Sequence, residues 1–390
     1  KVMDRFFEFE KAKLFDTWKR SRNNRFSNKK IEEFHNCFKQ FYDKIKHEDV
    51  TTLSEDKKIC LKNAIDYFQL RVNCLSNNTG TNAPYEVIES IKCAARDWVA
   101  DIDDYIILTK FGDYSFFYDK EEENIRMFLK NDYNIVLKHK TVLLSIPQHY
   151  YRDYLNNVVL YHEIGHFVDV VNGISIYSLN NMKNKFSRSE DIPNMQTFFP
   201  YLNGLTFNQV IDANGNFLDK SIEKALYYHW MEFFADMFAC SYIGKNITKY
   251  LGYVYYPDCR SSNYSITHPS NDLRFKLVED FLSSKGNYIL DIIQNELRGK
   301  FGKVMNDFTN NLDSSDLYRL LPIEIKSDNE IHQLYATAWD VWYSDRELFK
   351  TANNLSYTLE STQIYGIINN LIEKSISNYL IQKKWNNVPK

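Results

Sequence analysis

The ten residues Trp230-Met231-Glu232-Phe233-Phe234-Ala235-Asp236-Met237-Phe238-Ala239 leave this chain few ways to fold. They belong to a segment, residues 221–242, that is apolar on nearly every side of a helix. Such a helix has no face to give to water and must be enclosed by other elements. The chain can supply the enclosure, with 390 residues, 44% of them hydrophobic and 16% aromatic, enough for two or three subdomains. Two carboxylates, Glu232 and Asp236, sit one turn apart in this helix. A buried, unpaired carboxylate costs several kcal/mol, so each needs a strong partner: a metal, a histidine or an arginine.

The surrounding pattern suggests a helical subdomain over residues 1–100, a mixed central part over 101–275 and a second helical subdomain over 276–390. Apolar residues at three- and four-residue spacing, among them Ile59, Leu61, Ala64, Phe68 and Leu70, predict helices from Phe6 to about Leu75. Residues 76–84 (SNNTGTNAP) have linker composition, and a further helix is expected over 87–99. The texture then becomes strand-like at 105–109, 114–118, 135–137 and Thr141–Ile146, with a Phe-Gly-Asp turn between the first two. Residues 154–171 predict a helix that ends at Asn172-Gly173. The stretch 180–200 reads as a surface loop and 206–218 as a hairpin turning at Asn214-Gly215. From Ser270 onward four or five helices are expected, with the aromatic residues of 335–343 and 365–379 as packing faces. The expected class is α+β, predominantly helical, with a small, mostly antiparallel sheet packed on the 154–171 and 221–242 helices.

A net charge of −3 provides no positive field to gather nucleic acid, and no run approaches the eighteen or more apolar residues of a membrane helix. Neither partner is expected. The six cysteines (37, 60, 74, 93, 240 and 259) form no CxxC pair and read as buried free thiols. Asp212, Asn214, Asn216 and Glu223 imitate a calcium loop, but Phe217 stands where that loop needs glycine, so a turn is the better reading. A soluble, cytoplasmic protein is expected. Because the first residue is Lys1 rather than Met, secretion stays open.

Chemistry is carried first by His162-Glu163-Ile164-Gly165-His166, an HExxH pattern on a predicted helix. Residues four apart lie one above the other, so both imidazoles can reach one ion while Glu163 stands beside it as general base. Catalytic zinc usually takes a third protein ligand, and Glu232 is the best candidate. Asp236 would then accept from the far nitrogen of a liganding imidazole, with Asp169 as a rival for that task.

With these residues named, the chain resembles the gluzincin metallopeptidases, in which a glutamate on a second helix completes a zinc site. It is most similar to the prenyl-protein protease and heat-shock protease X group and to the soluble minigluzincins, over about 140 to 170 residues. Thr141–Ile146 before the HExxH helix, and Thr267-His268-Pro269-Ser270 with Arg274 after the glutamate helix, agree with that group. The resemblance implies a strand that binds extended substrate by edge pairing and a role for His268 in stabilising the oxyanion. His229, Tyr253, Tyr255 and Tyr256 compete for the second role. The membrane helices of some members are not seen here, and regions 1–100 and 275–390 match no family pattern. The expected activity is peptide-bond hydrolysis on a peptide or protein substrate with Zn²⁺. The rival is a non-catalytic binding or regulatory protein built on the same zinc scaffold.

Overall fold

The computed structural model describes residues 2–26, 28–75, 85–112, 117–120, 123–186, 191–254 and 261–386. The expected linker at 76–84 lies outside them. The chain divides into two compact units, one of Lys1–Ile88 and Asp101–Tyr151, the other of Glu89–Ala100 and Arg152–Lys390. The strands group with the N-terminal helices, and the C-terminal helices group with the HExxH helix.

In the first unit, α1 (Val2–Ser21), α2 (Lys29–Ile45) and α3 (Glu55–Leu75) pack through apolar stripes; α4 (Tyr85–Arg96) follows in the chain, and its residues from Glu89 on belong to the second unit. Phe34, Phe38 and Phe41 lie on one face of α2 and meet Phe68 of α3 in a buried aromatic core. The Asn28 side chain caps α2 by accepting from the Lys30 N–H. The sheet comprises β1 (Ile106–Phe111), β2 (Phe117–Lys120) and, after α5 (Glu123–Tyr133), β3 (Thr141–Ile146), in the order β1-β3-β2.

The α+β, predominantly helical class is as expected, but the sheet is not mostly antiparallel. β1 pairs with β3 in parallel over six residues, and β2 pairs with β3 antiparallel over four. All six residues of β3 are buried, which suits a central strand, and the chain reaches it through α5, which reverses its direction. β1 and β2 therefore do not form the hairpin expected around Phe-Gly-Asp. β3 also has a partner on each side, so it offers no free edge to an extended substrate. Ile135 and Leu137 are buried but in irregular chain rather than a strand. The sheet packs on α3, where Arg71 donates to the Thr141 hydroxyl at 2.7 Å.

In the second unit, α6 (Leu160–Asn172) and α10 (Lys220–Ile243) form the centre. A tight turn at Asn156–Val159 precedes α6, which thus begins later than the sequence suggested, and Gly173 ends it in the left-handed region at φ 69°. The expected loop at 180–200 is instead largely helical: α7 (Ile174–Lys185) and α8 (Ile192–Phe198) bury Leu179, Met182, Met195 and Phe198. The short α9 (Phe207–Val210) leads into a turn in which Asp212 Oδ1 accepts from the N–H groups of Asn214 and Asn216 at 2.8 Å each, closed by an Ile211–Phe217 bridge. That carboxylate serves a turn, as expected.

α10 is buried at every residue from Glu232 to Ile243. It is surrounded by α6, α7, α11 (Asn246–Val254), α12 (Asn271–Leu282) and α15 (Asp328–Trp342). Six helices rather than four or five follow Ser270, because α13 (Tyr288–Phe301), the short α14 (Ser315–Tyr318) and α16 (Glu347–Ala352), and α17 (Ser361–Asn386) accompany α12 and α15. Tyr335 and Trp339 of α15 are buried packing residues. Among the described residues no helix is long and apolar enough to cross a membrane. Cys74, Cys93 and Cys240 are buried free thiols, whereas Cys60 is exposed and Cys37 half-buried, so burial does not hold for every cysteine; Cys259 lies outside the described residues.

Candidate metal centre

The centre forms where α6 and α10 approach closely. A Cβ on Gly165 would stand 3.0 Å from the Ala235 Cα and 3.1 Å from the Phe238 Cβ, distances a real side chain does not tolerate without movement. Absence of a side chain at Gly165, and only a methyl at Ala235, lets the two backbones come together. His162 and His166 thereby face Glu232 across the seam. Ring nitrogens of both histidines and a carboxylate oxygen of Glu232 all lie within 4.8 Å of one another, and all three residues are buried.

Each side chain's orientation has a cause. His162 Nδ1 lies 2.9 Å from Asp236 Oδ1, which draws the ring proton to that nitrogen and leaves Nε2 facing the cluster. His162 Nε2 is 3.0 Å from His166 Nε2 and 3.4 Å from Glu232 Oε2, and His166 Nε2 is 3.2 Å from Glu232 Oε1. Asp236 is itself fixed by Arg274 of α12, whose Nε and Nη2 donate to its two oxygens at 2.7 and 2.8 Å. Arg274 Nη2 also lies 3.4 Å from Glu232 Oε2, a buried oxygen that makes no hydrogen bond. The sequence placed Arg274 only within a resembling segment. A buried arginine clamp is nonetheless what a carboxylate in an apolar helix demands.

The electrostatics favour a cation here. Burial pushes Glu232 and Asp236 up, but His166 and Arg274 on the first, and Arg274 on the second, outweigh it and hold both below the usual carboxylate range. Burial also disfavours charge on His162, yet Asp236 and Glu232 override it and raise that imidazole to about 10. Without a metal, the two carboxylates pull a proton into the cluster. Two imidazoles and a carboxylate, one of whose oxygens lacks a hydrogen bond, fit a divalent transition metal, which would supply the same charge through ligand bonds.

Glu163 is half-buried and, among the described residues, has neither a hydrogen bond nor an ion pair. Burial raises its pKa, the direction useful to a general base. His268 stands on a turn before α12, with Nε2 3.7 Å from Glu232 Oε1 and Nδ1 2.8 Å from the Thr267 hydroxyl. Asp169 does not serve an imidazole: its carboxylate accepts from the Ser175 N–H at 2.7 Å and hydroxyl at 2.5 Å, at the start of α7. His229 is fully buried and bonded to the chain, so it is not available as an oxyanion donor. The side chains of Tyr253, Tyr255 and Tyr256 lie outside the described residues. Comparison with models of known families, with curated proteins and with solved structures gave no significant match.

Proposed function

We propose that this protein is a zinc metallopeptidase of the gluzincin kind, with His162, His166 and Glu232 as metal ligands and Glu163 as general base. The observation that carries the reading is the convergence of three buried donors from two helices beside Glu163, whose side chain makes no hydrogen bond or ion pair among the described residues. Zinc held there would supply Lewis acidity toward a water and toward a substrate carbonyl.

The chain's own residues supply the rest. Glu163 takes a proton from the attacking water and delivers it to the leaving amine, and its raised pKa makes the carboxyl competent in both directions. Asp236 keeps the His162 proton on Nδ1, and Arg274 keeps Asp236 ionised. The Thr267 hydroxyl, donating to His268 Nδ1, leaves an N–H on Nε2 toward the metal site, where it can stabilise a developing oxyanion.

The deciding experiment is metal analysis of the purified chain joined to a peptide-library assay with and without a chelator. About one zinc per chain and cleavage that stops with chelator and returns with zinc are expected. A tightly bound zinc with no cleavage across the library would instead make the protein a binding scaffold. Two histidines and a carboxylate also suit non-haem iron, so the metal analysis should read iron as well.

A further inference from the structure

The turn bearing His268 is held from behind by a residue the mechanism above does not use. His229 lies on α10 three residues before Glu232 and is fully buried. Its Nε2 is 2.8 Å from the Ser265 carbonyl oxygen, and its Nδ1 is 3.3 Å from the Tyr201 hydroxyl. A carbonyl only accepts, so Nε2 carries the proton and Tyr201 donates to Nδ1. A single neutral tautomer satisfies both contacts, and burial, which lowers the pKa of this ring, keeps it neutral. Tyr201 and Tyr264 pack around it at ring distances of 5.3 and 6.3 Å.

Ser265 connects this clamp to His268. Its hydroxyl accepts from the N–H groups of Thr267 at 3.3 Å and His268 at 3.0 Å, and its own N–H donates to the His268 carbonyl at 2.9 Å. The His268 side chain is 52% exposed, so the turn gains little fixed position from apolar burial. One bond to a buried donor on α10 does what packing does not. The helix that carries Glu232 thus also carries, one turn earlier, the anchor for the residue facing Glu232.

We propose that His229 is a positioning residue: by donating to the Ser265 carbonyl it fixes the 265–268 turn so that His268 faces the metal site. Its consequence for rate rests on the metallopeptidase reading; its consequence for the turn does not.

His229→Leu removes the donor at similar volume, and His229→Gln returns an amide N–H near the Nε2 position. For His229→Leu, hydrogen exchange at the 265–268 amides should quicken at least tenfold. The kcat of chelator-sensitive cleavage should fall about 10-fold or more at unchanged zinc content. His229→Gln should recover most of both. In a His268→Ala background, His229→Leu should cost no further rate. Unchanged exchange at 265–268, or the same rate loss with and without His268, would overturn the proposal. If His229→Leu does not fold, Tyr201→Phe carries the same expectation at smaller size. Absence of any chelator-sensitive cleavage by the wild type defeats the peptidase reading, while the exchange comparison still decides the clamp.

Discussion

On the α6–α10 side of the metal centre, two backbones meet at Gly165 and Ala235, and His162, Glu232, Asp236 and Arg274 are cross-braced and almost free of solvent. On the opposite side His268 stands half-exposed on a short turn held by Ser265 and His229. The difference teaches how labour is divided. The proposed ligands, which must converge, are built into the buried seam, whereas the group proposed to meet a substrate is placed where it can be reached. Substitutions in the seam should therefore cost metal and stability together, and substitutions in the turn should cost rate alone.

The largest expected effect tests the seam's chemistry. Glu163→Gln should keep zinc and lose about 10²- to 10⁴-fold in kcat, whereas Glu232→Ala should lose the metal itself; both are read by metal analysis beside kinetics. Substantial cleavage by Glu163→Gln would remove the base from the mechanism. Next comes Arg274→Met, which leaves Asp236 buried without its clamp and should lower unfolding stability by about 3–5 kcal/mol in urea titrations. A loss under 1 kcal/mol would show that the bracing is not needed.

Asp169 gives a pH test within the same helix. Burial raises its folded pKa to about 6 from an ordinary 3.8. An acid whose folded pKa is raised holds its proton more tightly in the fold, so its contribution to stability is full below the unfolded value and is lost as pH rises toward 6. The decline amounts to about 3 kcal/mol at most. Asp169→Asn should flatten the urea midpoint between pH 4 and pH 6, and an unaltered slope would contradict the assignment. Gly165→Ala should cost about 1–3 kcal/mol by overpacking and weaken zinc binding with it. The smallest effect belongs to the turn: His268→Ala should change stability by no more than about 0.5 kcal/mol while slowing cleavage. A large stability loss there would erase the contrast between the two sides.

What the sequence made legible follows from burial and spacing. Glu232 stood out because a carboxylate in a helix apolar on all sides has to be explained, and β3 because a run of β-branched and aliphatic residues has few other uses. The parallel pairing of β1 with β3 was not legible, since it depends on where α5 returns the chain. Helices α7 and α8 were hidden by a polar composition that conceals Leu179, Met182, Met195 and Phe198 at buried positions. The sequence favours Asp236 over Asp169 as the acceptor, but spacing alone leaves Asp169 as a rival, each within a turn or so of a proposed ligand. Only the fold sends one to Ser175 and the other to His162. The Arg274 clamp was equally out of reach, because it joins α12 to α10 across 38 positions.

The back of α6 has its own partner. The Tyr161 hydroxyl is hydrogen-bonded at 2.8 Å to Nδ1 of His332 on α15, an imidazole that burial pushes down to about 3 and so keeps neutral. Tyr161 immediately precedes His162, the first proposed metal ligand. A chain cut after residue 275 would keep every proposed ligand and the base, yet it would take His332 away from the Tyr161 hydroxyl. The smallest excisable form of this centre is therefore set by α15 and not by the span of its motif.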